Sequence, residues 1–588
     1  MKTITRIRKT LGVIGIILLL VGLIGYKFAN AQSSPAPAAT PTPSSTIATP
    51  VDMTSATTTA PATAAATPVD APLAHDISDS VVGKPASTAV TDPTNDPSGA
   101  NTGGISDIST ADPKNAGRPT ALDIANQVGK NKIAINFVWT LLCGFLVMFM
   151  QAGFALVETG FTRGKNAAHT MAMNMVIYCL GVLGFYVVGF GLMFGGLNPL
   201  GTLGGTTVLN HEFSIQLLGK TFGLFGTTGF FLTGKAYDVA VLTLFLFQVV
   251  FMDAAATIPT GAMAERWKFV PFCIWGLFLS MILYPLYGNW VWGGGWLAML
   301  GSNFGLGHGV VDFAGSSVVH AVGGIASLAG VIVLGPRIGK FRKDGTPVAI
   351  PGHNLTLALL GVFILAFGWF GFNPGSTLAG VDLRISVVAV NTMLASCAGL
   401  FSAMIYMWWK TGKPDPAMAG NGCLAGLVAI TAPSAFVNPM GAVIIGLIAG
   451  ILVILVAGVI EWKFKLDDPV GAIAVHGANG LWGLISVGLF ADGTYGDSWN
   501  GVKGTVTGLF YGDGGQLVAQ LIGVVVCFVF VFFGSLIFFK IVDATIGMRV
   551  KPEEELNGID ISEVGVLAYP RDDMFSMPER MAPRPKSS

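Results

Sequence analysis

Apolar runs of about 20 residues, divided by short polar or Gly-rich links, recur from Ile133 onward. Each is long enough to cross a bilayer core as a helix at about 1.5 Å per residue. The pattern predicts eleven spans, at 133–158, 168–194, 237–261, 269–288, 311–335, 354–374, 385–409, 417–432, 438–461, 468–490 and 516–546. Ahead of them the pattern changes. Residues 32–131 are rich in Ala, Thr, Pro and Ser, carry no apolar period and bury too little to offset their ordering entropy, so a disordered extracytoplasmic tail is expected. Residues 1–31 read as a signal peptide. Lys2, Arg6, Arg8 and Lys9 make a basic start, 11–25 is a short apolar stretch, and Ala29-Asn30-Ala31 fits a cleavage site. The expected plan is therefore signal peptide 1–31, tail 32–131, membrane domain 132–546 and a regulatory C-terminal tail 547–588.

Charge sets the expected orientation. With the first span entering from outside, the inner loops hold Arg163, Lys165, Arg266, Lys268, Arg337, Lys340, Arg342, Lys343, Lys410, Lys413, Lys463 and Lys465. The outer loops hold only Lys220, Lys235, Arg384 and Lys503. This asymmetry obeys the positive-inside rule and places the C-terminus in the cytoplasm and the N-terminus outside, in a multi-pass plasma (inner) membrane protein. Charged residues are only 11% of the 588, against about 25% in soluble domains. The 33 basic residues balance 33 acidic ones, which excludes a basic nucleic-acid binder, and the 52% hydrophobic content argues against a soluble enzyme. The 78 glycines allow close helix approach, as at Gly446 and Gly450. Six cysteines (Cys143, Cys179, Cys273, Cys397, Cys423, Cys527) stand singly in apolar stretches, so free thiols are expected, with no disulfide framework, zinc site or other cofactor.

A weak repeat crosses the membrane domain. DFAGSSVVHAVGG (312–324) resembles DPVGAIAVHGANG (468–480), each with Asp eight residues before His. The copies fall in spans five and ten, and their halves start on opposite sides. Two inverted five-helix repeats plus a final helix are predicted, an arrangement typical of transporters, with the site between the halves. His320 and His476 are the histidines well inside spans, where ionisable groups are expensive and face a pore or a partner. Their equivalent placement suggests that they meet near the midplane, one neutral imidazole donating to the other. A metal or haem pair competes, but neither helix offers a Cys, Glu or third His at ligand spacing. Trp292 and the segment Trp369-Phe370-Gly371-Phe372-Asn373 lie at outer span ends, where an indole can anchor at the interface or hold a small cation by its face.

Six motifs in order, GFALVETGFTRGKN (153–166), GAMAERWKF (261–269), VWGGG (291–295), DFAGSSVVHAVGG (312–324), GWFGFNPGS (368–376) and AVHGANGLWG (474–483), resemble the ammonium transporter (Amt/Mep/Rh) family, bacterial Amt type, over about 133–570. The resemblance implies an all-α polytopic protein, a homotrimer of eleven-helix subunits with one pore each, and uptake of ammonium for nitrogen supply. It implies ammonium recruitment by Trp292, Ser376 and Phe251, a gate of Phe251 and Phe372, and pore lining or proton relay by His320 and His476. Asp312, Trp369 and Asn373 would support the site, although Asp312 can equally cap its helix. A PII-type signalling protein at the cytoplasmic face is an implied partner. Three features depart from the family pattern: Asp253 inside a span, the long Gly-rich segment 195–236, and Val564 and Val566 in the tail. Asp253 is open to two readings, a hydrogen bond to a neighbouring helix or the tuning of proton movement.

A bare small cation costs tens of kcal/mol to move into a low-dielectric conduit. Ammonium escapes that cost by shedding a proton, and potassium does not. The expected mechanism is NH4+ recruitment, deprotonation and NH3 passage, with or without the proton. The alternatives are an ammonium sensor with little flux and an Rh-like channel for neutral gas.

Overall fold

The computed structural model describes residues 119–205 and 209–569. The expected signal peptide, nearly all of the 32–131 tail and the end of the C-terminal tail lie outside the described residues. Residues 39–138 cluster as a unit of their own. Its described part opens helix α1 (Ala121–Phe161). The helix begins at Ala121, not 133, because Thr120 and Asp123 form a reciprocal cap. Asp123 N donates to Thr120 Oγ1 at 3.1 Å, and Thr120 N donates to Asp123 Oδ2 at 2.9 Å. Residues 121–131 are thus helical where a disordered tail was expected. A cap acts through three residues, and apolar periodicity does not register it.

The second unit carries the remaining spans: α2 (Gly164–Phe194), α3 (Val239–Ala262), α4 (Phe269–Trp292), α5 (Ser316–Leu334), α6 (Leu355–Thr377), α7 (Arg384–Thr411), α8 (Pro416–Ile430), α9 (Pro439–Lys463), α10 (Ile473–Phe490) and α11 (Gly514–Ile546). With α1, ten of the described helices are long and apolar enough to cross a membrane, in keeping with a multi-pass membrane protein. The expected eighth span differs. Helix α8 has 15 residues, about 22 Å of rise, and every residue from Ala419 to Ile430 is buried. It is packed in protein over most of its length, so its length need not match the lipid.

Side-chain caps start several helices. Asp238 accepts from Ala240 N and Val241 N, and Asp415 from Ala417 N and Met418 N. Asn438 accepts from Gly441 N, and Asp513 from Gly515 N and Gln516 N. Each cap satisfies amides that would otherwise lack partners, worth about 1 kcal/mol. The second departure from expectation is that the fold is not wholly helical. Within 195–236, strands β1 (Glu212–Leu217) and β2 (Lys220–Gly226) form an antiparallel hairpin. It docks on the end of α4, where Trp290 Nε1 donates to Leu224 O at 2.9 Å and Trp296 N to Gly223 O at 3.0 Å.

At the opposite end of the helices, the GAMAERWKF motif builds an ionic knot. Arg337 pairs with Glu265 at 2.9 Å and with Asp467 at 2.8 Å, and Arg163 also pairs with Glu265. Arg266 is wholly buried, donating to the carbonyls of Ala262, Ala264, Gly335 and Asp467. Burial pushes the Asp467 carboxyl up, but Arg266 and Arg337 beside it win and hold it well below the usual carboxylate range. The tail docks at this end. Asp560 accepts from Ala168 N and His169 N at the start of α2, and Glu563 from Phe269 N at the start of α4. These acids meet the positive ends of two helix dipoles.

Candidate functional site

The repeat positions the site. His320 and His476 each lie on a wide, π-type turn, Ser316–Ala321 and Ile473–Ala478. The aspartate eight residues earlier caps each segment. Asp312 accepts from the amides of Gly315, Ser316, Ser317 and Val318 and from Ser317 Oγ. Asp468 accepts from Val470, Gly471 and Ile473 amides. Four residues after each histidine stands a glycine that receives the other helix. A Cβ on Gly324 would collide with the backbone of His476 and Gly477, and one on Gly480 would lie 2.7 Å from Ala321 N. Bare backbone at both crossings lets α5 and α10 touch.

The result is a hydrogen-bonded imidazole pair, with His476 Nδ1 and His320 Nδ1 3.3 Å apart and the rings 5.3 Å apart at 23°. Both are buried. Two facing nitrogens at this separation share one proton, so one ring donates and the other accepts. His320 Nε2 is buried without a partner.

Aromatic rings extend the pair into a column. Phe372 stacks on His320 at 5.3 Å and 25°, and Phe251 lies against Phe372 at 4.0 Å. Trp292 meets the Phe251 edge at 6.2 Å and 75°. Trp369 stacks on His320 at 5.1 Å and is pinned by donating Nε1–H to Thr431 Oγ1 at 2.9 Å. Phe154 lies 6.0 Å from His476 at the far side. The Trp292 indole donates to the Asp312 carbonyl at 2.6 Å, which fixes its plane. Ser376 Oγ donates to Phe372 O at 2.8 Å, leaving its lone pairs free to accept. Asn373 braces α6 against α7, its Nδ2 donating to Thr392 Oγ1 at 3.0 Å.

Three cavities follow the column. One of about 200 Å³ at the hairpin end is lined by Trp292, Ser376, Phe251, Phe247 and Gln248. One of about 20 Å³ lies against His476. One of about 540 Å³ lies at the tail end and is lined by Asn421, Val470 and Asp468 among others. The structure thus brings together Trp292, Ser376, Phe251, Phe372, His320 and His476, with Asp312, Trp369 and Asn373 behind them. Asp253 stands apart. Two residues along α3 from Phe251 it points away from that ring, and its Oδ1 faces Gly181 of α2 without a partner. Gln248 and Phe247 went unassigned from sequence. Gln248 is the polar interruption of an apolar stretch one helical turn before Phe251, which is the signal that marks it.

The model of the Ammonium Transporter Family matches residues 138–569. Ammonium transporter Amt2 of Archaeoglobus fulgidus is 48% identical over 443 residues, covering 75% of this chain and 89% of that protein. Ammonium transporter 1 member 3 of Solanum lycopersicum is 35% identical over 456 residues, covering 74% and 93%. Among solved structures, one titled Sensor Amt Protein superposes with a TM-score of 0.64 at 39% identity, covering 74% of this chain and 99% of that one. Mep2 of Candida albicans superposes with a TM-score of 0.60 at 27% identity, covering 72% and 87%. An imidazole pair inside a multi-pass helical membrane domain, and a match running through nearly all of that domain, lead to one conclusion: the chain belongs to the ammonium transporter family.

Proposed function

We propose that this transporter recruits NH4+ at the Trp292 end, strips its proton, and conducts NH3 past His320 and His476. The observation that carries this reading is the dry column itself. Phe251, Phe372 and the two imidazoles offer no charge and no carboxylate to a cation, while a desolvated small ion costs tens of kcal/mol. The indole face of Trp292 offers a cation–π surface and Ser376 Oγ an acceptor, worth at most a few kcal/mol together. That suffices to hold NH4+ at the mouth and falls far short of carrying it through. Neutral NH3 escapes that cost, and His320 Nε2 is a polar atom on its way with no other partner. In this reading the Trp292 end faces outside and the tail end the cytoplasm of an inner-membrane homotrimer, and the docked tail is where a PII-type regulator would bind.

His320→Ala and His476→Ala, assayed for ammonium flux against potassium in reconstituted vesicles, test the mechanism. The expected result is lost flux or lost selectivity in both. Wild-type rate and selectivity in both variants would remove the histidines from it. A sensor that binds without transporting, the role named for one structural neighbour, would show ligand binding and no flux in the wild type.

A further inference from the structure

The proton shed by ammonium still needs an acceptor, and one buried acid has no task. Glu158 of α1, in the VETG part of the first motif, is buried on the tail side of the histidine pair. Its Oε2 accepts from Asn174 Nδ2 of α2 at 2.7 Å and from Thr260 Oγ1 of α3 at 2.6 Å. None of the ion pairs among the described residues includes it. Two good donors favour the carboxylate, while burial without a cation favours the acid. A group balanced in this way can take up a proton and give it back.

Its position supplies the route. Glu158 and His476 line the same cavity of about 20 Å³, with Asn421 and Val470. That is room for about one water, and the site offers it polar partners. Asn421 and Val470 also line the 540 Å³ cavity beyond. His476 Nδ1 is engaged with His320, so Nε2 is the nitrogen left to pass a proton on.

We propose that Glu158 is the inner proton acceptor of the conduit. The proposal rests on the deprotonation mechanism proposed for the pore. The N–H bond of protonated His476 breaks toward the cavity water, a proton of that water forms the O–H bond on Glu158, and the imidazole keeps the electron pair. Glu158 then releases the proton to water or NH3 in the inner cavity, re-forming NH4+ and the carboxylate. Charge therefore crosses with the ammonia.

Full-length protein in proteoliposomes, driven by an ammonium gradient, tests this with two readouts on one preparation: current on a solid-supported membrane, and uptake of nitrogen-15-labelled ammonium. Glu158→Gln keeps an oxygen for Asn174 and Thr260 but takes up no proton. Its current is expected to fall at least about tenfold while label uptake falls far less, and Glu158→Asp is expected to restore part of the current. An unchanged ratio of charge to label in Glu158→Gln, including equal loss of both, would overturn the relay. A wild type that moves label without charge would overturn it as well. Either result leaves ammonia conduction standing, because the selectivity of the histidine variants tests that separately.

Discussion

Gly324 is where packing and transport meet. It lies one turn beyond His320, and its missing side chain is the space that the α10 backbone occupies. A Cβ there would sit 2.5 Å from the α-carbon of Gly477 and 2.7 Å from the carbonyl carbon of His476, whereas ordinary van der Waals packing begins at 3.4 Å. Opening the first of these gaps from 2.5 to 3.4 Å parts the helices by about 0.9 Å. Backbone on the receiving side cannot swing away as a flexible side chain can. The Nδ1–Nδ1 separation of 3.3 Å is already near the long end of hydrogen bonding, so the same shift breaks the imidazole pair. Gly324→Ala is expected to cost about 1–3 kcal/mol of stability and to lower ammonium flux by a larger factor than its melting point suggests. Gly458→Ala is the internal control. Nothing lies within 4 Å of a Cβ there, so it should be neutral or slightly stabilising. Ammonium uptake in vesicles and thermal melting in detergent give the two readouts. Wild-type flux and melting in Gly324→Ala would refute the claim that bare backbone at this crossing sets the histidine pair.

The remaining expectations concern the two ends of the helices. Arg337→Leu strips the partner from buried Asp467 and Glu265, so a loss of about 3–5 kcal/mol is expected in detergent melts, and wild-type stability would mark the knot as dispensable. Because the native Asp467 carboxyl is held low, its stabilising contribution is present above its unfolded pKa, about 4, and disappears as pH falls further, a slope that Asp467→Asn should flatten. Glu212 on the hairpin shows the reverse sign. Burial against α4 pushes its carboxyl up to about 7, with the hydrogen bond from Asn289 only partly opposing. The folded hairpin therefore binds a proton more tightly than the unfolded chain, and its docking weakens as pH rises through about 7. Hydrogen exchange across 212–226 should quicken from pH 6 to pH 8 in the wild type and not in Glu212→Gln.

The candidate site was legible in unusual detail because the chain states it twice. The spacing of Asp312 to His320 recurs from Asp468 to His476, and an inverted repeat converts equal positions in sequence into facing positions in space. The aspartates show the limit of that reading. Both roles for Asp312 were open from sequence, and the coordinates supply the amides it caps and the indole resting on its carbonyl. Asp253 shows it again. Its place in a span was plain, but the face it presents depends on the rotation of α3. Gln248 and Glu158 sat in view as polar residues in apolar runs, yet the cavities that give them meaning are bounded by helices far away in sequence.

The amino-acid order alone determined the helical membrane domain, because about 20 apolar residues in succession have few stable states in lipid other than a spanning helix. It also determined the order of the spans and the equivalence of the two histidine segments. It did not determine where α1 begins, how far α8 extends or that 195–236 closes into a hairpin, since these rest on caps, on burial by neighbours and on docking to α4. Only the tertiary structure decided that the imidazoles touch. That depends on backbone approaching backbone at Gly324 and Gly480, and close approach is a property of two surfaces together, which neither segment carries by itself.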